Sequence, residues 1–241
     1  MTRSRPAKFL TTRWSIVNAA GGQSSSSARI ALEELCRIYW QPVYSFVRRR
    51  GHEQNTAEDL TQAFFVHILS TDFVRTADRD RGRFRSFLLK SVSHFLCDQR
   101  RAAKALKRGG GQITLSLDFE KGERQYQLEP ADAATAEELF ERRWALTLLA
   151  HTTATLKQEY EDRNHGLLFR SLEPHLNQDD ARVPYAELTE TLHMSVDAIK
   201  QAARRLKLRY REILRAEIAG TVRTPSDIDD ELRQLMTVLS R

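Results

Sequence analysis

The chain lacks several features that mark membrane and secreted proteins. None of its apolar runs approaches the roughly 18 residues that a membrane-spanning helix requires. Residues 1–14 carry charge but no apolar core, so a secretory signal is not expected either. These absences favour a cytoplasmic protein with no membrane among its partners.

Residues that bind metals or form covalent links are also scarce. The two cysteines, Cys36 and Cys97, both fall in apolar helical patterns, and we therefore predict two reduced, buried thiols. The seven histidines are scattered without ligand spacing, so no metal and no other cofactor is expected. Paired carboxylates in an apolar setting and a Gly-rich loop before a Lys-Ser/Thr pair are absent as well, which disfavours an enzyme.

Strand patterns are nearly missing, since apolar and polar residues alternate only briefly, at 113–117. The rest of the chain has apolar residues at helical spacing, which predicts an all-α protein. The predicted helices include 9–20, 28–50, 55–69, 83–108 and a C-terminal helix capped by Thr224. The apolar stripe of the C-terminal helix consists of Ile228, Leu232, Leu235, Met236 and Leu239.

The charge of the chain changes sign along its length. Residues 75–108 carry eleven basic and three acidic side chains, whereas 109–138 carry two basic and seven acidic ones. A Gly-led acidic segment between helical blocks is typical of a linker. We therefore predict two helical domains joined by a flexible acidic linker. The predicted parts are an N-terminal extension 1–27, a first domain 28–108, the linker 109–138, a second domain 139–220 and a C-terminal helical extension 221–241.

Residues 185–209 contain two amphipathic helices separated by a short break. Ser195 is placed to cap the second helix, and Asp197 lies favourably in its first turn. Seven basic residues and two acidic ones lie between 196 and 215. A basic helix alone is more often a solvated face, but a break followed by a capped basic helix favours a helix-turn-helix, whose second helix enters the major groove. The predicted base contacts are Ser195, Lys200, Gln201 and Arg204, and the predicted phosphate contacts are Arg205, Lys207 and Arg209.

Three stretches of the chain resemble a known family. YAELTETLHMSVDAIKQAARRLKLRY at 185–210 resembles the promoter-reading domain of the sigma-70 family, in its extracytoplasmic-function (ECF) group. TAEDLTQAFFVHIL at 56–69 resembles the polymerase-binding helix of that family, and RFRSFLLKSVSHFLCDQRR at 83–101 resembles its promoter-melting segment. The RWSIV opening, the spacer 157–184 and the C-terminal helix are similar to long variants described in planctomycete-like bacteria.

The chain departs from the family pattern at a few positions. The turn glycine of the helix-turn-helix is His193, which must then adopt a backbone conformation that glycine takes more easily. A family arginine of the second helix is Ala202 here, and the acidic residue that normally follows Gln62 is Ala63. The usual asparagine of the minus-ten segment is His94.

The resemblance implies roles for two further sets of residues. The helix at 57–69 is too apolar for one core stripe, so part of its surface is expected to dock on the clamp of the largest polymerase subunit. The residues expected in this contact are Asp59, Gln62, Phe65 and Leu69. Along 83–108 the predicted core stripe is Phe84, Phe87, Leu88, Val92 and Phe95. The remaining face is expected to contact minus-ten DNA through Arg83, Arg85, Lys90, His94, Arg100, Arg101 and Lys104.

The function implied by the resemblance is that of a promoter-specificity subunit without catalytic activity. Such a subunit binds core RNA polymerase, reads a minus-35 element with 183–209 and melts a minus-ten element of promoter DNA with 83–104. An anti-sigma factor or a regulatory kinase is a further expected partner. The alternative is a self-sufficient helix-turn-helix regulator that binds duplex DNA as a dimer, with 225–239 as its dimer seam.

Overall fold

The computed structural model describes residues 26–70, 84–105, 117–129, 134–176, 183–219, 221–222 and 224–240. Within these ranges the protein is α-helical, with a short 3-10 helix at Glu173–His175 and no strand, and the predicted all-α class is confirmed. The predicted helix at 9–20 and most of the alternating stretch at 113–117 lie outside the described residues. None of the described helices is long and apolar enough to cross a membrane.

Nine α-helices are present in the described residues. They are α1 (Ser26–Arg49), α2 (Gln54–Ser70), α3 (Phe84–Ala105), α4 (Phe119–Gln127), α5 (Ala136–Glu161), α6 (Gly166–Leu172), α7 (Leu188–Leu192), α8 (Val196–Ala219) and α9 (Ser226–Leu239). The predicted helices at 28–50, 55–69 and 83–108 correspond to α1, α2 and α3.

The chain divides into two compact units, at positions that differ from the predicted domain boundaries. The first unit comprises Met1–Thr147 and Ile218–Arg241, and the second comprises Leu148–Glu217. Helix α9 therefore belongs to the first unit, where it buries Leu235 and Val238. Met236, which was predicted in the same apolar stripe, is 66% exposed, because it lies one residue beyond the buried face.

Helices α1, α2 and α3 supply most of the core of the first unit. The buried side chains of α1 include Cys36, Tyr39, Trp40, Val43, Tyr44, Phe46 and Val47. Phe64 of α2 meets Phe95 of α3 with ring centroids 5.5 Å apart. Along α3 the predicted stripe is buried except for Phe87, which is half-buried. Cys97 is exposed, so the prediction of two buried thiols was wrong: two residues past Phe95, it lies on the opposite side of the helix.

The segment predicted as a flexible acidic linker contains a packed helix, α4. Asp118 caps this helix, because its side chain accepts a hydrogen bond from the Lys121 amide at 3.0 Å. Phe119 contacts Trp40 and Tyr44 of α1, with ring centroids 5.5 Å apart in each pair. The segment is acidic in composition, but it contains an amphipathic helix that belongs to the first unit.

Glu123 attaches α4 to α1 through a buried carboxylate. It accepts hydrogen bonds from the Tyr44 hydroxyl and from Nε and Nη2 of Arg48, the latter two at 2.9 and 2.8 Å. Burial by itself would raise the pKa of Glu123, but the hydrogen bonds from Arg48 and Tyr44 hold that pKa below its ordinary value. Gly122 lies against Trp40 so closely that a Cβ would come within 2.8 Å of the indole ring.

The second unit has a separate apolar core. Its buried members are Leu156 of α5, Phe169 and Leu172 of α6, Leu188 of α7, and Ile199, Ala202, Ala203, Leu206 and Ile213 of α8. Tyr185, Leu192 and Met194 pack against this cluster and are partly buried. The core holds α7 and α8 at the surface of the unit, with their polar faces outward.

Candidate nucleic-acid interface

The break between α7 and α8 depends on the backbone of His193. This residue has φ 50° and ψ 41°, the left-handed conformation that was predicted for it in place of glycine. Its amide donates to the carbonyl of Thr189, which ends α7 and turns the chain toward α8. The turn therefore keeps the short spacing of a helix-turn-helix without a glycine.

Ser195 caps α8 as predicted. Its hydroxyl oxygen accepts a hydrogen bond from the Ala198 amide at 3.3 Å, and Asp197 occupies the first helical turn. Both groups are exposed, so the start of the helix is open to a partner.

The exposed face of α8 begins in its first turns. Lys200, Gln201, Arg204 and Arg205 are exposed, whereas Ile199, Ala202 and Ala203 between them are buried. Lys200 lies 3.4 Å from Asp197, an exposed ion pair of the kind that contributes little to stability. Arg204 forms no ion pair with any described residue. Ala202, which stands where the family has an arginine, is buried and faces the core.

Two later cations of α8, Lys207 and Arg209, are less free. Lys207 is half-buried. Arg209 donates two hydrogen bonds to Glu159 of α5, at 2.7 and 2.8 Å, and a third to Glu212 at 2.8 Å. The hydrogen bonds to Glu159 and Glu212 raise the pKa of Arg209, and its bond to Glu159 lowers the pKa of that carboxyl. Arg209 thus braces α8 against α5 within the second unit.

A second basic surface lies on α3 in the first unit. Lys90, His94, Arg100 and Arg101 are exposed on this helix. Arg101 lies 3.4 Å from Asp98 in another exposed ion pair. Arg83 and the side chain of Lys104, which were predicted to share this surface, lie outside the described residues.

Arg85 must be removed from the predicted DNA-contacting set. It is 3% exposed, with Nε 2.5 Å from Glu231 of α9, a second ion pair to Glu141 of α5, and its guanidinium 4.8 Å from the centre of the Trp144 ring. Burial would lower the pKa of Arg85, but its bonds to both carboxylates raise it overall. A guanidinium enclosed by two carboxylates and an indole is not available to DNA.

The expected polymerase-binding face of α2 is smaller than predicted. Asp59 is exposed and Gln62 is half-buried, but Phe65 is 2% exposed and packs against Phe64 with ring centroids 5.5 Å apart. Because α2 packs against both α1 and α3, its buried face is wider than one stripe. Phe65 lies within this buried face. The side chain of Leu69 lies outside the described residues.

Sequence reasoning missed the residues that act across long separations. Glu141 and Glu231 were not assigned a role, and their partner Arg85 was assigned to DNA. A group around Tyr160, Arg163 and His165 was also missed, because these residues precede the helix-turn-helix in an unassigned spacer. No local pattern in the sequence could have revealed the pairing of Arg85 with Glu141 and Glu231, or the approach of Arg205 to Tyr160.

The second unit thus contains a helix-turn-helix, and the first unit carries a separate basic helix. A family model described as ECF sigma factor matches residues 22–218, so the chain belongs to the ECF sigma factor family. The match includes the spacer 157–184 and ends before α9, while the narrower resemblance to planctomycete-like variants stays a prediction. The searches of curated proteins and of solved structures returned no match.

Membership in the ECF sigma factor family gives this protein a role in transcription initiation. Proteins of this family are initiation factors rather than enzymes; they work with core RNA polymerase and promoter DNA and are often regulated by anti-sigma factors.

Proposed function

We propose that this sigma factor reads a minus-35 element with the start of α8 and opens a minus-ten element with α3, while α2 binds core polymerase. The observation that carries the proposal is the presence of two exposed basic helices in two separately packed units. A protein that only holds duplex DNA needs one such surface. A protein that must also hold opened strands needs two.

The minus-35 contacts are assigned to the N-terminal turns of α8. Ser195, Lys200, Gln201 and Arg204 are exposed there, on the part of a recognition helix that normally meets base edges. Arg204 has a free guanidinium, which can form paired hydrogen bonds with a guanine. We assign Arg205 and Lys207 to phosphate contacts, which would position the helix without reading sequence.

The minus-ten contacts are assigned to Lys90, His94, Arg100 and Arg101. Their side chains point away from the core stripe of α3, whose aromatic residues are occupied in packing. Cations without exposed aromatic neighbours suit the phosphates of separated strands better than base stacking. His94 is the candidate for contact with a base displaced from the duplex, which costs a few kcal/mol of unstacking.

The polymerase contact is assigned to the exposed part of α2, around Asp59 and Gln62. Phe65 is buried beneath this surface, so it supports the surface and does not contact polymerase. Substitutions at Asp59 should therefore weaken polymerase binding directly, whereas substitutions at Phe65 should act by destabilising the first unit.

The alternative of a dimeric regulator is disfavoured by the packing of α9. The helix that would form the dimer seam buries Leu235, Val238 and Glu231 within its own chain. Its exposed face carries Asp229, Asp230 and Arg233 beside Met236, and a single large apolar side chain among charged ones does not form an apolar seam. A dimer would need a different surface.

Run-off transcription from a randomised promoter library tests the proposal. Purified core polymerase is incubated with the library, with and without this chain, and the templates of the transcripts are sequenced. We expect two conserved sequence blocks at a constant spacing, found only when polymerase and chain are both present. Enrichment of one palindromic block by the chain alone would instead support the regulator. Absence of any enrichment with polymerase would reject the proposed function.

A further inference from the structure

A cavity of about 300 Å³ lies in the second unit, between the end of α5 and the side of α8. Its lining consists of Tyr160, Arg163, His165, Leu168, Ala202, Arg205 and Arg209. The volume is at the lower end of the roughly 300–1,000 Å³ typical of small-ligand sites. None of the residues that precede α6 in this lining was assigned a role from the sequence.

Two of the three arginines in the lining form no ion pair with a residue that the structure describes. Arg209 is held by Glu159 and Glu212, as described above. Arg163 and Arg205, in contrast, form no ion pair and no side-chain hydrogen bond with any residue that the structure describes. The cavity therefore presents two guanidiniums without a hydrogen-bonded partner beside a tyrosine and a histidine. The pKa of the nearby Glu159 carboxyl is lowered by its hydrogen bond with Arg209 and also by the charge of Arg163.

The charges of Arg163 and Arg205 act on the same region of the cavity. Burial raises the pKa of the Tyr160 hydroxyl, and the guanidiniums of Arg205 and Arg163 each oppose that rise. Both positive groups are thus close enough to the hydroxyl to influence its ionisation. The three groups converge although they come from two helices and a turn.

The turn that carries Arg163 is well defined. The Arg163 and His165 amides donate to the Tyr160 carbonyl at 3.2 and 2.8 Å, and the Asn164 amide donates to the Glu161 carbonyl at 2.9 Å. Asn164 adopts φ 60°, which asparagine tolerates better than most residues. A turn held by three backbone hydrogen bonds is preorganised, so a ligand would lose little affinity in ordering it.

We propose that this cavity binds a phosphate group through Arg163 and Arg205, with the Tyr160 hydroxyl as a further donor. The planar guanidinium presents paired N–H groups that match phosphate oxygens, and two such groups suit one dianion or two linked phosphates. Leu168 and Ala202 add a small apolar wall. The phosphate comes either from the DNA backbone or from a free phosphate compound. Binding of the DNA backbone rests on the proposed function, whereas binding of a free phosphate compound does not.

The test uses the full-length chain and the variants Arg163→Gln and Arg205→Gln. Lys157→Gln is the matched control, since Lys157 is an exposed cation on α5 that does not line the cavity. Inorganic pyrophosphate is the free-phosphate probe, read as a shift in melting temperature. A duplex of arbitrary sequence is the DNA probe, with its dissociation constant measured across a series of salt concentrations. Circular dichroism verifies that each variant is folded.

A pyrophosphate-induced rise in melting temperature in the wild type and the control, lost in both cavity variants, would identify a free phosphate ligand. If pyrophosphate has no effect, the backbone source predicts that each cavity variant weakens duplex binding about tenfold. The slope of log affinity against log salt should also become shallower by about 0.9. If the cavity variants match Lys157→Gln in both assays, the cavity proposal is wrong. These assays need no polymerase, so that result would reject the cavity and the phosphate contact assigned to Arg205, while the proposed minus-35 base contacts, minus-ten contacts and polymerase contact would stand.

Discussion

Arg85 and Glu231 lie 146 residues apart in the chain and form a buried ion pair, with the Arg85 Nε 2.5 Å from a Glu231 oxygen. Their side chains are 4% and 1% exposed. Glu141 and Trp144 complete the surroundings of the guanidinium. The C-terminal helix, which follows the part of the chain matched by the family model, is therefore an integral part of the first unit.

Glu231→Gln should destabilise the first unit by about 3–5 kcal/mol, because it leaves the buried Arg85 with less counter-charge. Urea unfolding followed by circular dichroism measures the change. Asp230→Asn is the control: it removes a neighbouring carboxylate whose ion pair with Arg233 is exposed, and such pairs contribute about 0–1 kcal/mol. Equal stability of the two variants would contradict the structural role assigned to Glu231.

Gly122→Ala should also destabilise the first unit, by about 1–3 kcal/mol, because the added methyl group would overlap the Trp40 ring. Gly166→Ala is the comparison, since its Cβ would meet only side-chain atoms at 3.5 Å, at the start of α6. We expect it to be neutral or slightly stabilising. Tryptophan fluorescence and urea unfolding report both variants. If Gly122→Ala were as stable as wild type, α4 would not be docked on α1 as described.

Glu123 should make the stability of the first unit depend on acid pH. Its folded-state pKa lies below the ordinary value of 4.5, so the unfolded chain binds the proton more readily than the folded one. The stabilisation by Glu123 is therefore fully present above pH 4.5 and is lost as the pH falls through the lower folded-state pKa.

The free energy of unfolding of Glu123→Gln, measured from neutral pH into acid, checks this dependence. The difference from wild type should be largest near neutral pH and should shrink on acidification. Glu120→Gln, an exposed change on the same helix, should follow the wild-type curve. A pH-independent difference between Glu123→Gln and wild type would show that the carboxylate charge is not what stabilises the contact.

Arg204→Ala should reduce transcription from the selected promoter and leave binding to core polymerase unchanged. Loss of a paired contact to a base costs about 1–3 kcal/mol of discrimination, so the preference at one promoter position should relax. Run-off transcription measures the first effect and co-elution with core enzyme the second. Lys157→Ala, on α5 of the same unit, should change neither. A parallel loss of transcription and polymerase binding would contradict the assignment.

Local patterns predicted the features whose physical causes are local. The capping role of Ser195, the left-handed backbone of His193 and the buried stripe of α3 each follow from residues within a few positions of one another. A hydroxyl before a helix, a non-glycine residue at a tight turn and apolar residues at helical spacing have direct structural consequences. The exposure of Lys200, Gln201 and Arg204 follows from the same periodicity.

The predictions that failed depended on what a helix packs against. Phe65 is buried because α2 contacts two helices, and Cys97 is exposed because nothing covers that side of α3 among the described residues. The acidic segment contains a docked helix because Glu123 meets Tyr44 and Arg48, which are more than 70 residues away. The amino-acid composition of a segment does not indicate which distant residues it will contact.

The sequence by itself determined the helical class, the helix-turn-helix and the family, because each follows from the short-range spacing of apolar, capping and basic residues. Only the tertiary structure decided which arginines are free to meet DNA. The charge of a guanidinium is the same at Arg85, Arg204 and Arg209, but its availability depends on carboxylates brought from distant parts of the chain. That pairing is set by packing, which no local pattern records.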